Sequence, residues 1–114
     1  MPAQSSWETT PWGYGQYSPL VESPAGPQSA SVTNSAAQVL ASNPLARRRV
    51  FTNTSATVAI YLAFNGNTAT AGYGETLLPY ATLEMTPQLG NLNQGAVSAV
   101  TAAGSATLAF KEEI

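Results

Sequence analysis

The sequence contains no cysteine, no histidine and no aspartate. Without cysteine and histidine it cannot form a disulfide framework, a structural zinc site, a thiol nucleophile or an imidazole base. Without aspartate it also lacks the usual calcium-binding loops and carboxylate triads. Catalysis would have to rely on glutamates, one lysine and hydroxyl groups, so we expect the chain not to be an enzyme and to use no metal or cofactor.

Charged residues are scarce as well, at 9% of the 114 residues, against about 25% in an average soluble domain. The surface should therefore be neutral and polar. With a net charge of −2, copies of the chain repel one another only weakly. We therefore expect a homo-oligomer. No apolar run approaches the ~18–20 residues that span a bilayer, and we expect no membrane partner.

Prolines and aromatic residues are concentrated at the N-terminus. Residues 1–29 hold five of the eight prolines, both tryptophans and two tyrosines, without a sustained helical or strand period. Proline at this density favours an extended, irregular segment. Solvated tails are poor in large aromatic residues, so we predict an arm that docks on a partner. The alternatives are a solvated tail or an arm folded back on its own domain. The predicted anchors are Trp7, Trp12, Tyr14 and Tyr17.

Residues 30–114 have the pattern of an all-β domain. Short β-prone runs alternate with turn residues, and residues 57–64 show the period of two expected of a central strand. This pattern predicts a small antiparallel β-sandwich, either jelly-roll-like or immunoglobulin-like. The predicted strands are residues 31–35, 37–41, 48–53, 57–64, 75–78, 80–85, 95–100 and 105–111, with the last two paired across residues 101–104. The predicted core comprises Val39 or Leu40, Val50, Val58, Ile60, Leu62, Phe64, Leu77, Leu83, Met85, Val97, Leu108 and Phe110.

Three of the four basic residues form one cluster, Arg47, Arg48 and Arg49. Nucleic-acid-binding domains spread many more basic residues over a face, and this chain is acidic with a pI near 4.8, so we expect no nucleic-acid partner. Because strand residues alternate between faces, Arg47 and Arg49 should share one face and Arg48 the other. We predict that the cluster binds a partner or forms ion pairs, within or between subunits. The available carboxylates are Glu75, Glu84, Glu112 and Glu113.

Three further groups of residues match patterns with other functions. Glu75 and Glu84, expected in adjacent strands, have the residue type of a glycosidase acid pair, but so small a chain leaves no room for a catalytic cleft. Tyr61, Tyr73 and Tyr80 suggest a sugar-binding platform, and the alternative is ordinary packing on a sheet face or under the arm. The sequence from Asn53 to Ser55 matches a glycosylation motif, and we interpret it as a turn.

The order of these patterns resembles a known family. A basic strand ends in Asn-Thr, the alternating strand "VAIYLAF" follows, and a glycine-containing loop leads to "ETLLPYATLEM". The closing segments "GAVSAV" and "SATLAF" end in acidic residues. Over residues 31–112 the chain resembles the small β-sandwich virion proteins of tailed bacteriophages, among them the capsid decoration or cement proteins.

The resemblance implies a structural role on the virion. Such a protein lies on the phage head surface, forms trimers and clamps neighbouring subunits of the major capsid protein. The same kind of domain occurs in head-fibre and tail accessory proteins, so the alternative expectation is a module that binds a receptor or glycan. The resemblance provides no pattern for the aromatic arm.

Overall fold

The computed structural model describes residues 19–114, and these residues form eight β-strands and no helix. The strands are β1 (Gln28–Val32), β2 (Ala37–Leu40), β3 (Arg48–Asn53), β4 (Ile60–Ala63), β5 (Glu75–Leu77), β6 (Thr82–Met85), β7 (Val97–Val100) and β8 (Ala106–Glu113). All eight predicted strands are present. Strand β4 is shorter than predicted, because the hydroxyl of Ser55 binds the backbone N–H groups of Thr57 and Val58 and holds them in a turn.

The strands form two four-stranded antiparallel sheets. Sheet A has the order β1-β8-β3-β6 and sheet B the order β2-β7-β4-β5. Every connection passes from one sheet to the other except the one that joins β4 to β5. Eight strands in this arrangement form a jelly roll. The predicted all-β sandwich is therefore confirmed, and its topology is the jelly roll rather than the immunoglobulin fold.

The predicted hairpin between the last two strands is wrong. Strand β7 lies between β2 and β4 in sheet B, whereas β8 lies between β1 and β3 in sheet A. Both edges of each strand are thus occupied by other partners. The turn at residues 101–104 crosses between the sheets, where the Thr101 N–H donates to the carbonyl of Thr33. Turn residues in the sequence mark a reversal of direction but do not identify the sheet that receives the next strand.

The core lies between the inner faces of the two sheets, where side chains alternate with the strand period. Phe51 is fully buried on β3, and its ring centroid lies 6.2 Å from Phe110 and 6.4 Å from Phe64. Most of the predicted core is buried or packed against this cluster. Val50 is the exception: it is opposite Lys111 on β8 and Glu84 on β6, on the outer face. The inner-face positions of β3 are instead Arg49, Phe51 and Asn53.

The loops divide between two ends of the sandwich. The far end carries residues 33–36, 54–59, 78–81 and 101–105. The other end, which we call the root end, carries residues 41–47, 64–74 and 86–96 together with residues 19–27. At the root end the chain pairs with the end of β8, since Val21 and Ile114 exchange backbone hydrogen bonds of 2.8 and 2.9 Å.

This pairing moves the start of the sandwich domain to an earlier residue than predicted. Residues 19–29 were expected in the arm, but Glu22 forms a bridge to Glu113, and β1 begins at Gln28 rather than at residue 31. The pairing was not visible in the sequence because prolines interrupt any strand period there. The four aromatic anchors predicted for the arm, Trp7, Trp12, Tyr14 and Tyr17, lie outside the described residues.

Candidate functional site

The guanidinium of Arg49 connects the loops of the root end through hydrogen bonds in the protein interior. Arg49 is fully buried, and its Nε donates to Oε2 of Glu112 over 2.7 Å. The four remaining N–H groups are directed at backbone carbonyls. Nη1 donates to Asn93 (2.8 Å) and Gly95 (2.6 Å), and Nη2 to Ala41 (3.1 Å) and Gln94 (3.3 Å). All five donors of the side chain are thereby satisfied.

The same contacts fix two loops against each other. Glu112 also accepts a 3.2 Å hydrogen bond from Nδ2 of Asn43. Gln94 donates from Nε2 to the carbonyls of Pro44 and Ala46. The loop between β2 and β3 is therefore bound to the loop between β6 and β7. Arg49 was predicted to bind a partner, and its complete burial corrects that prediction, since it leaves no surface for another molecule.

Arg48 lies on the outer face of sheet A in a network of ion pairs. Its Nε is 2.6 Å from Glu84 and its Nη1 is 3.0 Å from Glu113, which also approaches Lys111 at 3.4 Å. Hydrogen bonds to Glu84 and Glu113 raise the pKa of Arg48. Burial alone would raise the pKa of Glu113, but its bonds to Arg48 and Lys111 prevail and hold it below its ordinary value of 4.5. The predicted ion pairs with Glu84, Glu112 and Glu113 thus form within one chain.

Arg47 precedes β3 and bonds to the backbone of Pro19 and Ile114. Its Nη2 donates to the carbonyls of Pro19 (2.8 Å) and Ile114 (3.2 Å), and its backbone N–H donates to Glu113. Three exposed apolar side chains belong to this corner, and we call them the root patch: Leu20 (45% exposed), Val21 (59%) and Leu45 (67%). The three arginines therefore lie in three different environments: Arg47 is at the root-end corner, Arg48 on the outer face of sheet A and Arg49 in the interior.

A groove of about 440 Å³ opens beside the loop that connects β4 to β5. Its exposed aromatic side chain is Tyr73, at 71% exposure, and its one formal charge is that of Glu75. Polar side chains supply much of the remaining lining, namely Asn65, Asn67, Thr68, Thr70 and Asn93. The volume lies within the ~300–1,000 Å³ usual for small-molecule sites.

Local backbone chemistry builds this groove. Asn65 and Gly66 have φ angles of 61° and 80°, and the Asn67 N–H donates to the carbonyl of Phe64, which is the pattern of a type I′ turn. Further along, the Tyr73 N–H donates to the carbonyl of Thr70. The intervening Gly72 has a φ of 85°, the positive value that the third position of a type II turn requires.

The loop is anchored to sheet B by one serine. The hydroxyl of Ser98 donates to the carbonyl of Asn67 over 2.8 Å and accepts from the Ala69 N–H over 2.7 Å. These bonds cover Ser98 on the outer side of β7, while Val97 and Ala99 of the same strand are buried in the core. The groove is therefore supported from beneath by a central strand.

The structure does not bring the three predicted platform tyrosines together. Tyr61 lines a separate groove with residues 57–59 and residues 102 and 103, and Tyr80 is in the turn before β6 at the far end. The two glutamates of the proposed acid pair are also apart, because Glu75 is in sheet B and Glu84 in sheet A. The adjacency expected from the sequence was wrong, since β5 is followed by a crossover.

Sequence reasoning missed the polar residues that line the groove with Tyr73. The signal was the Asn65-Gly66 dipeptide, which favours a tight reversal, followed by glycines at positions 72 and 74. Asn53 is the last residue of β3, so the interpretation of Asn53 to Ser55 as a turn is wrong for Asn53 itself. Asn53 is fully buried, and its Nδ2 donates to the carbonyls of Val58 and Leu77.

Comparisons with protein-family models, with curated proteins and with solved structures return no match. Within residues 19–114, no three side chains of the metal-binding types His, Cys, Asp and Glu gather into a site. The same residues include no helix of the length and apolarity needed to cross a membrane.

Proposed function

We propose that the chain is a structural virion protein that decorates and stabilises the head shell of a tailed bacteriophage. The major capsid protein is its partner, and copies of the sandwich assemble as a trimer over a junction between capsid subunits. The N-terminal arm extends the contact, with Trp7, Trp12, Tyr14 and Tyr17 as anchors. This proposal rests on the resemblance over residues 31–112 and on the geometry of the root end.

The observation that carries the proposal is that residues 19–21, which follow the arm, are hydrogen-bonded to the sandwich. Arg47 binds the carbonyl of Pro19, and Val21 pairs with Ile114. Residues 1–18 therefore start from a defined corner of a rigid sandwich. Eighteen residues reach at most roughly 60 Å when extended, which is enough to pass beyond the sandwich to a neighbouring subunit. The root patch of Leu20, Val21 and Leu45 presents apolar surface beside this starting point.

The character of the surface also supports a mechanical role. A chain with 9% charged residues repels its own copies weakly, and symmetric copies multiply a modest contact into high avidity. A clamp built in this way needs no catalytic group. Its binding strength depends on the number of copies engaged and on how rigidly each copy presents its contacts.

Co-sedimentation with undecorated heads tests the proposal. The full-length chain should bind purified head shells of the phage that carries the gene, saturably and at a fixed ratio. Replacing the four arm aromatics by serine should weaken binding, as should Leu45→Ser in the root patch. Leu78→Ser is the matched control, because Leu78 is similarly exposed at 60% but lies at the far end.

The two parts of the proposal fail separately. Absence of saturable binding by the full-length chain would refute the decoration role. Unchanged binding by the arm variant would refute only the use of the arm. Sedimentation equilibrium of the free chain tests the trimer, for which a monomer at all concentrations is the contrary result.

A further inference from the structure

We propose that the groove beside Tyr73 is a binding site for neutral saccharides. This inference does not depend on binding to a phage shell. The groove lies by β4 and β5, at the opposite edge of the sandwich from β1 and the paired residues Val21 and Ile114. None of the root-patch residues Leu20, Val21 and Leu45 lines the groove.

The first argument is the match between the lining and sugar chemistry. A pyranose ring presents an apolar face of C–H groups and a rim of hydroxyls. An exposed tyrosine ring offers a flat apolar surface for the first, and amide, hydroxyl and carboxylate groups offer donors and acceptors for the second. Tyr73 provides the ring, and the polar groups are Asn65, Thr68, Thr70, Glu75 and Asn93.

The second argument is that these polar groups are not committed to the fold. Within residues 19–114, the side chains of Thr68, Thr70 and Glu75 make no hydrogen bond, and neither does the amide of Asn65. Asn93 accepts from Gly95 through Oδ1, which leaves its Nδ2 as a donor. A ligand with several hydroxyls satisfies such groups together and at fixed spacing.

Charge then selects the class of sugar. Glu75 is the one charged residue among those that line the groove. Arg49, whose Nη1 binds the carbonyls of Asn93 and Gly95 behind it, is buried and has all its donors engaged. A sialylated or phosphorylated glycan would place its anion near Glu75 without a cation to compensate. The groove therefore suits uncharged hexoses and N-acetylhexosamines.

Preorganisation makes the site useful despite its small size. The Asn65-Gly66 turn, the bonds from Ser98 and the Thr70–Tyr73 turn fix the lining before a ligand arrives. Less conformational entropy is lost on binding when the lining is already ordered. An oligomeric chain would present several such grooves at once, and weak single-site binding would then become avid.

The experiment applies the purified full-length chain to a glycan array with neutral, sialylated and phosphorylated glycans, followed by NMR titration of a neutral glycan that binds. The expected result is binding to neutral glycans, with shifted amide signals at residues 65–75. Tyr73→Ala should weaken binding about tenfold, and Glu75→Ala about threefold.

Tyr80→Asn is the matched control, because Tyr80 is 70% exposed at the far end. Asparagine tolerates its positive φ of 63°.

Four results would overturn the inference. These are no binding to any neutral glycan, preference for anionic glycans, equal binding by Tyr73→Ala, or a loss with Tyr80→Asn as large as that with Tyr73→Ala. An unchanged melting temperature for Tyr73→Ala shows that its loss is local rather than a failure to fold. If Tyr73→Ala weakens shell binding while no glycan binds, the groove is a protein contact and the saccharide assignment is wrong. Because no shell is present on the array, failure there leaves the decoration role untouched.

Discussion

Arg49 and Glu112 form an ion pair in the interior of a sandwich that has few charges. The Nε–Oε2 distance is 2.7 Å, and the side chains are 0% and 7% exposed. They are opposite each other on neighbouring strands, in register between β3 and β8. The pair lies on the inner face of sheet A at the root end. At this place hydrogen bonds and an ion pair, rather than apolar contacts, hold the two sheets and their loops together.

Removal of Arg49 should be the most damaging single change in this network. Arg49→Met leaves the Glu112 carboxylate buried without its cation and removes the donors that four carbonyls accept. We expect a loss of about 3–5 kcal/mol in the free energy of unfolding, measured by urea denaturation. Arg48→Met is the control, because Arg48 is 26% exposed and its pairs contribute about 1 kcal/mol or less. Equal losses for both variants would contradict this role of Arg49.

Stability should depend on Glu113 at acidic pH. The folded-state pKa of Glu113 is below its ordinary value of 4.5. The unfolded chain therefore takes up this proton first as pH falls. The stabilisation is fully present above the unfolded value and disappears as pH falls through the folded value.

A comparison with Glu113→Gln isolates that contribution. The difference in the urea midpoint between the wild-type chain and the variant should be largest near pH 7 and should vanish in strong acid. Titration of both proteins between about pH 2 and 7 measures it. A difference that grows as the pH falls would show that the pKa shift has the opposite sign.

Gly95 is constrained by contact rather than by its backbone angle. A Cβ at this position would come 2.6 Å from the Cα of Asn65, so the two loops would have to separate. We expect Gly95→Ala to destabilise the fold by about 1–3 kcal/mol and to weaken saccharide binding, because Asn65 lines the groove. Thermal denaturation and the glycan array measure the two effects.

Gly90 provides the control for Gly95. Gly90→Ala introduces a methyl group with no atom within 4 Å, but at a positive φ of 74°. That substitution should cost about 1–2 kcal/mol through backbone strain alone and leave glycan binding unchanged. Altered glycan binding in Gly90→Ala would mean that the Gly95 effect is not specific to the loop contact.

Asn53 should be required for folding rather than for modification. Its Nδ2 bonds to Val58 and Leu77, and its Oδ1 accepts from the Ser55 N–H over 2.9 Å. Asn53→Ala leaves these buried groups unsatisfied, and we expect a loss of about 2–4 kcal/mol in urea denaturation. Thr54→Ala is the neighbouring control, since Thr54 is exposed and its hydroxyl makes a single bond to Thr107. Similar losses would indicate a general sensitivity of this turn.

The sequence predicted the strands better than it predicted their partners. Strand β3 has the predicted bounds, because alternation and flanking turn residues are local signals. The crossover after β7 and the burial of Arg49 depend on residues distant in sequence, with Glu112 lying 63 positions away. Hydrophobicity favoured Val50 for the core, but the neighbouring Arg49 faces the interior instead. Its side chain is accommodated there because the Glu112 carboxylate and four backbone carbonyls accept its hydrogen bonds.

For the candidate sites, the sequence identified residue types without their groupings. Tyr73 was recognised as a sugar-binding candidate, but it was grouped with two tyrosines that lie elsewhere. The groove depends on the turns at Asn65-Gly66 and at Thr70–Tyr73, and on the packing of the loop that contains them against the outer side of sheet B. Neither is encoded in the spacing of tyrosines.

The position of β8 between β1 and β3 has a consequence for synthesis on the ribosome. Sheet A has the order β1-β8-β3-β6, so β1 and β3 have no common neighbour until residues 106–113 emerge from the exit tunnel. Until then the first strand has no hydrogen-bonded partner in its own sheet. Contacts between such distant parts of a chain form slowly, so sheet A should be completed only after β8 has been synthesised.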